Sequence, residues 1–148
     1  MPDSKSKMAL ARSAWRLMFG FLMRTAPDRT RSLGRRGLTP NDSRALWSLD
    51  AEKGRAMRSL AEEWECDASN ATWIVDRLER AGLAERQSLP NDRRVKLVVL
   101  TAKGVKTKAA LHQEFHAPPA ELFELDRSDL ETLAALLKRL GPKSRTGK

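Results

Sequence analysis

The chain has 148 residues, 41 % of them hydrophobic, which suits one ordinary domain with a real core or a small domain with dimerising extensions. Its formal net charge of +9 is the balance of a nucleic-acid binder, although a merely soluble basic protein can share it. Cys66 is the only cysteine, which excludes an intrachain disulfide and favours a reducing compartment, and the longest uncharged run near the start, residues 17–23, is far too short to cross a bilayer.

Residues 1–7 are polar and read as a frayed end. Over residues 8–24, Ala11, Trp15, Met18, Phe19 and Leu22 fall at helical spacing, with Leu10, Leu17 and Phe21 widening the apolar face. Arg12 and Arg16 interrupt any signal-peptide core, so the expectation is a cytoplasmic protein without membrane attachment. A helix this apolar wants a covering surface: a dimer contact is the plain reading, a membrane-surface helix the sharper one. Residues 26–37, rich in Arg, Gly and Pro, read as a loop.

Thr39-Pro40-Asn41-Asp42 then opens a helix. Thr39 caps it, Pro40 suits its first position, Asp42 sits near its positive end, and Ala45, Leu46 and Leu49 form its buried stripe. Lys53-Gly54-Arg55 turns the chain, and residues 56–58 read as a short strand beside a later hairpin. Ser59-Leu60-Ala61-Glu62 has the form of a capping box, opening a helix with Leu60, Ala61 and Trp64 inward. After Glu65 and Cys66, Asp67 caps another helix, which buries Ala71, Ile74 or Val75, and Leu78, and stops at Gly82. Two helices joined by so short a turn make a helix-turn-helix.

Residues 83–88 and 95–100 read as strands around a tip, Pro90-Asn91-Asp92-Arg93-Arg94. Thr101 starts a helix reaching about His116, with Val105, Ala109 and Leu111 or His112 on its inner face, and Pro118-Pro119 breaks it. Asp126 caps a last helix with Leu130, Leu133, Leu136 or Leu137, and Leu140 in register, stopped by Gly141-Pro142. Basic residues gather at the hairpin (Arg86, Arg93, Arg94, Lys96 and Lys103, against Asp92 alone) and at the end (Lys138, Arg139, Lys143, Arg145 and Lys148, with no acid among them).

If Ala71, Val75 and Leu78 are buried, Ser69, Asn70, Thr72, Trp73 and Arg77 turn outward, where the early turns of a recognition helix meet base edges. Ser69 and Thr72 suit phosphate or base, Asn70 the paired amide contact to adenine, and Arg77 guanine or phosphate. Trp73 offers a flat face for a thymine methyl or for sugars. At the hairpin tip Arg93 and Arg94 suit a narrow minor groove, and Asp92 is expected to pair with an arginine and hold it extended.

These features resemble the MarR family of winged helix-turn-helix regulators, from Leu38 to Gly104, with compatible flanking helices. Asp92-Arg93-Arg94 followed by Leu97, Leu100-Thr101 and Gly104 is similar to the family's wing and exit; Val75-Asp76-Arg77-Leu78-Glu79, Gly82-Leu83 and Glu85-Arg86 resemble the end of its recognition helix. The chain departs from the family at Glu65, where glycine is common, at Trp64, where a small aliphatic is usual, and at Leu89-Pro90-Asn91, where a more charged tip is common.

The resemblance implies a mainly α fold with a small β-hairpin wing: a winged helix-turn-helix with N- and C-terminal dimerisation helices. It implies one domain over 1–148, with 8–37 and 102–148 mainly dimerising and 38–101 the DNA-binding lobe. It further implies a homodimer, more often a repressor, on a pseudo-palindromic operator of double-stranded DNA. Base contacts would come from Ser69, Asn70, Thr72, Trp73 and Arg77, with Arg94 in the minor groove supported by Asp92. Family members often respond to phenolic or other aromatic effectors, for which Trp15 and Trp47 are the candidate lining, although tryptophans at helical spacing are more often core. Cys66 reads as a small buried hydrophobe rather than a peroxide sensor, which in this family lies near the first helix.

His112 and His116 share a helix face but no Cys or His cluster completes a metal site, so no metal and no cofactor are expected. A phosphate-binding glycine loop and a nucleophile–base pair are both lacking, which argues against an enzyme. The rival reading is a non-specific DNA- or RNA-coating basic protein.

Overall fold

The computed structural model describes residues 2–142, of which residues 2–4 by backbone alone. Lys143, Arg145 and Lys148 of the basic tail lie outside the described residues. The chain divides into two compact units, Met1–His116 and Ala117–Lys148.

The first unit begins with one long helix, α1 (Pro2–Gly34), whose 33 residues span about 50 Å. It corrects two expectations: 2–7 are helical rather than frayed, and 26–34 continue the helix rather than forming a loop. Pro27 lies inside it and can donate no backbone hydrogen bond. Side chains serve the carbonyls just before it: the Thr25 hydroxyl donates to Phe21 O at 3.1 Å, and Arg29 Nη2 donates to Leu22 O at 2.9 Å. The real turn comes later, at Gly37 (φ 65°), where Leu38 N–H reaches back to Leu33 O at 3.0 Å.

The second helix, α2 (Pro40–Ser48), has the expected capping box: Thr39 Oγ1 accepts from Asp42 N at 3.2 Å, while Asp42 Oδ2 accepts from Thr39 N at 2.8 Å. A short strand, β1 (Arg55–Ala56), follows, and α3 (Met57–Glu63) starts directly behind it. The strand is therefore shorter than expected, and Ser59 is not a cap. The N-cap is Ala56, without a side-chain bond, because pairing of Arg55 and Ala56 with the sheet brings the chain into the helix three residues early. Ser59 Oγ instead accepts from Arg55 Nη2 at 2.9 Å, and Glu62 pairs with Arg58 at 3.3 Å.

Next comes α4 (Ala68–Arg80), capped by Asp67 and closed at Gly82 (φ 72°). Strands β2 (Ala84–Leu89) and β3 (Asp92–Leu100) form a hairpin about Pro90-Asn91, and the sheet order is β1-β3-β2, all antiparallel. The strand β3 starts at Asp92, three residues before the apolar alternation begins, because the two-residue turn sets Asp92 opposite Leu89. As the central strand it buries Val98, Val99 and Leu100 in a row rather than in alternation. Thr101 caps α5 (Ala102–Phe115), its Oγ1 accepting from Gly104 N at 3.0 Å. Leu111 is fully buried, whereas Val105, Ala109 and His112 are exposed rather than inward. The core joins Leu46, Leu49, Leu60, Val75, Leu78, Val98 and Leu111.

The second unit holds a 3-10 helix, Ala120–Glu124, which periodicity did not reveal, and α6 (Arg127–Arg139), capped by Asp126 Oδ1 accepting from Asp129 N at 2.9 Å. Neither element has a buried residue. The mainly helical fold with a small antiparallel sheet is that of a winged helix-turn-helix.

Candidate nucleic-acid interface

The helix α4 is strongly two-faced. Ala71, Ile74, Val75 and Leu78 are buried, so the alternative between Ile74 and Val75 resolves to both, while Ser69, Asn70, Thr72 and Trp73 are exposed. Its start is organised by Asp67, whose Oδ1 accepts from Asn70 N at 2.7 Å and from the Ser69 hydroxyl at 2.8 Å. The backbone hydrogen bond from Asn70, and then that from the Ser69 side chain, hold the Asp67 carboxyl below its usual range. Ser69 is thus oriented before any ligand arrives.

Arg77 takes a different position from the other four. Its Nε donates to Asp42 Oδ1 at 3.1 Å and its Nη2 to Asp42 Oδ2 at 2.8 Å, a two-pronged fork that runs from α4 to the start of α2. Asp42 is 1 % exposed. Burial alone would push its carboxyl up, but hydrogen bonds from Arg77 and Thr39 prevail and it lies below the carboxylate range. Hydrogen bonding to Asp42 likewise pushes the Arg77 guanidinium further up. The guanidinium carbon sits 5.2 Å from the centre of the Trp73 ring, a cation–π contact. Asp42 is a positioning residue that sequence reasoning missed. It is visible there only as an acid at a helix start, because its partner lies 35 residues away.

The wing is anchored to the same helix by Arg86 on β2, which reaches Asp76 at 2.8 Å and Glu79 at 2.6 Å. Its tip, Asn91 to Arg94, is exposed. Asp92 does not hold an arginine side chain as expected. Its Oδ1 accepts from the backbone N–H of Arg94 at 3.0 Å, so it stiffens the chain leaving the turn instead. Lys96 Nζ donates across the hairpin to Ser88 Oγ at 2.7 Å.

The two candidate effector residues have separate neighbourhoods. Trp15 is 62 % exposed on α1 beside Phe19, with ring centres 6.1 Å apart. Trp47 packs partly on the core, edge-on to His112 and Phe115 at 6.0 and 5.9 Å. A groove of about 320 Å³ is lined by Arg36, Leu38, Ala81, Leu83, Lys103 and Thr107, without either tryptophan. Cys66 is half-buried against the core. The His112 and His116 rings lie 4.2 Å apart, and His116 Nδ1 is 2.7 Å from His112 O. Among the described residues no group of three or more His, Cys, Asp or Glu side chains is gathered to hold a metal ion, and no helix is long and apolar enough to cross a membrane.

The family model described as "MarR family" matches residues 38–96, the stretch from the α2 cap to the middle of β3. The HTH-type transcriptional regulator MhqR of Bacillus subtilis is 28 % identical over 109 residues, covering 71 % of this chain and 73 % of that protein. The HTH-type transcriptional regulator BilQ of Clostridium symbiosum is 33 % identical over 94 residues, covering 63 % of this chain and 65 % of that protein, slightly less than two thirds of its length. The crystal structure of YusO from Bacillus subtilis superposes with a TM-score of 0.76 at 25 % identity, covering 89 % of this chain and 94 % of that one. An amphipathic helix with a bare polar edge, a basic hairpin pinned to it and these likenesses agree: over residues 38–96 the chain matches the MarR family, and it is similar to DNA-binding, winged helix-turn-helix transcriptional regulators.

Proposed function

We propose that the chain acts as a homodimeric repressor on a pseudo-palindromic operator. In this reading α4 enters the major groove with Ser69, Asn70, Thr72, Trp73 and Arg77, and the wing brings Arg93 and Arg94 to the flanking minor groove, with Asp92 stiffening the tip. Residues 38–101 form the reading lobe, and 8–37 with 102–148 mainly form the dimer. The observation that carries the reading is the bare polar edge of α4, its opposite face buried and its end tied to the base of an exposed arginine-tipped hairpin. Bases are read where side chains reach groove edges, whereas a coating protein needs only charge.

A small aromatic effector is part of the proposal. Trp15 is open enough that a site it lines needs a second surface to close it, such as a partner protomer. Quenching of tryptophan fluorescence by phenolic compounds, together with loss of DNA binding, is the expected sign.

The test begins with selection of bound fragments from genomic DNA, followed by affinities for the enriched sequence and a scrambled duplex of equal length. Specific binding should be at least about a thousandfold tighter. Arg94→Ala should cost roughly 1–3 kcal/mol on the enriched site. Equal affinity for the two duplexes, or RNA competing as well as DNA, would instead establish the coating protein.

A further inference from the structure

Arg77 and Trp73 are a linked pair, and this divides their labour. We propose that Trp73 is the specificity-determining residue of α4, its indole seated on the 5-methyl group of a thymine, and that Arg77 is a positioning residue that holds the ring through the Asp42 fork. This rests on the reading of α4 as the recognition helix.

The argument starts with hydrogen-bonding capacity. The fork to Asp42 uses Nε and Nη2 of Arg77, one of the two edges a guanidinium can present to a guanine, and ties the group to α2 rather than leaving it free to extend. Asp42 is itself held by Thr39 N and buried, so the fork is anchored in the α2 cap rather than in a mobile side chain. The same guanidinium lies against Trp73, which fixes a large side chain that would otherwise turn freely on the helix surface. Trp73 is nevertheless 50 % exposed, one turn along from Ser69 and Asn70.

An indole has one N–H donor and no acceptor, so it cannot accept from adenine or cytosine amines. What it offers is apolar area, and the one apolar feature in the major groove is the thymine methyl. A pre-oriented ring loses little side-chain freedom on meeting it.

The experiment uses the full chain and its selected operator, with each thymine replaced singly by deoxyuridine, which removes only that methyl. Wild type should lose about fourfold in affinity at one thymine per half-site, the transfer value of one methyl group, and about 16-fold when both half-sites are changed. Trp73→Ala should bind the thymine operator correspondingly less well and no longer distinguish thymine from uracil. Asp42→Asn, which can still cap α2 but frees Arg77, should keep its salt dependence and lose most of the thymine preference while Trp73 and Arg77 are both present.

Uracil tolerated at every thymine would overturn the proposal, as would undiminished discrimination in Trp73→Ala. If Asp42→Asn keeps full discrimination and Arg77→Lys merely weakens binding uniformly across sequences, Arg77 is a phosphate ligand and its positioning role is refuted. In either case the operator would still be bound specifically, so the recognition-helix reading would survive. Failure to enrich any operator would remove that reading, and the proposal with it.

Discussion

A methyl group on Gly104 would sit 1.9 Å from the carbonyl oxygen of Leu83. That oxygen cannot withdraw easily, because it accepts from Thr101 N at 3.1 Å, and the Thr101 hydroxyl donates to Gly82 O at 2.6 Å. The start of α5 is therefore laid directly on the turn that ends α4, and glycine permits the approach. Gly104→Ala is expected to destabilise the fold by roughly 2–3 kcal/mol, through overpacking against backbone, read as a fall in denaturant midpoint. Glu65 shows the opposite relation. It has φ 53°, the left-handed region that glycine adopts freely. Glu65→Gly relieves a cost of roughly 1–2 kcal/mol but adds roughly 0.5–1 kcal/mol of unfolded-chain freedom, so it should be neutral or slightly stabilising. Glu65→Ile, β-branched, should destabilise by about 1 kcal/mol or more, measured by the same unfolding titration. The substitution of Trp64 for a small aliphatic also has a local support: the ring is 5 % exposed, and its Nε1 donates to Ser48 Oγ at 3.0 Å.

At the scale of elements, α1 and α5 are tied by one carboxylate. Glu114 accepts from the Ser32 hydroxyl, from Arg36 Nη2 at 2.6 Å and Nη1 at 3.0 Å, and from Arg35 Nη2 at 3.3 Å. Hydrogen bonds from Arg36 and then Ser32 hold its carboxyl down at about 2, against 4.5 unperturbed. A carboxyl depressed by folding stabilises the native state above its unfolded pKa, and that contribution drains away as pH falls through the native value. Thermal scans should show wild type losing stability between about pH 4.5 and pH 2 more steeply than Glu114→Gln, whose curve should be flatter there. This tie was illegible in the sequence, because residues 26–37 looked like a loop and a contact spanning 82 residues has no periodicity. What was legible had a local cause. Thr39, Asp67, Thr101 and Asp126 each cap a helix through a neighbour three residues on, and the buried stripe of α4 follows directly from spacing. Ser59 failed for a non-local reason: pairing with β3 claims Arg55 and Ala56 and moves the helix start ahead of it. In the candidate interface, the exposed edge Ser69 to Trp73 was readable, whereas the inward fork of Arg77 depended on Asp42 from another helix.

On the scale of the whole molecule, the unburied apolar surface demands an account. On α1, Met8, Leu10, Trp15, Leu17, Phe19, Leu22 and Met23 are each about half exposed or more, and so are Leu136, Leu137 and Leu140 at the end of the second unit. A helix of 13 residues with no buried side chain is too short to persist in water on its own propensity. Apolar rows of this extent mark interaction surfaces, and in the proposed homodimer a second copy would cover them and also supply a second recognition helix. Two such helices must meet successive major grooves about 34 Å apart, so dimerisation and specific DNA affinity should fail together. Leu136→Glu with Leu140→Glu places charge on the α6 row without touching α4 or the wing, and the core of the first unit, which has no member from α6, should remain intact. Sedimentation is expected to give one mass near 33 kDa for the wild type, about twice 16.6 kDa, and the single-chain mass for the double variant. The wild-type melting temperature should rise with protein concentration, while that of the variant should not. Binding to scrambled duplex should weaken by much less than binding to the operator, because each lobe keeps its phosphate contacts but loses its tether to the other half-site. A double variant that stays dimeric and operator-specific would show that the α6 row does not hold the two protomers together.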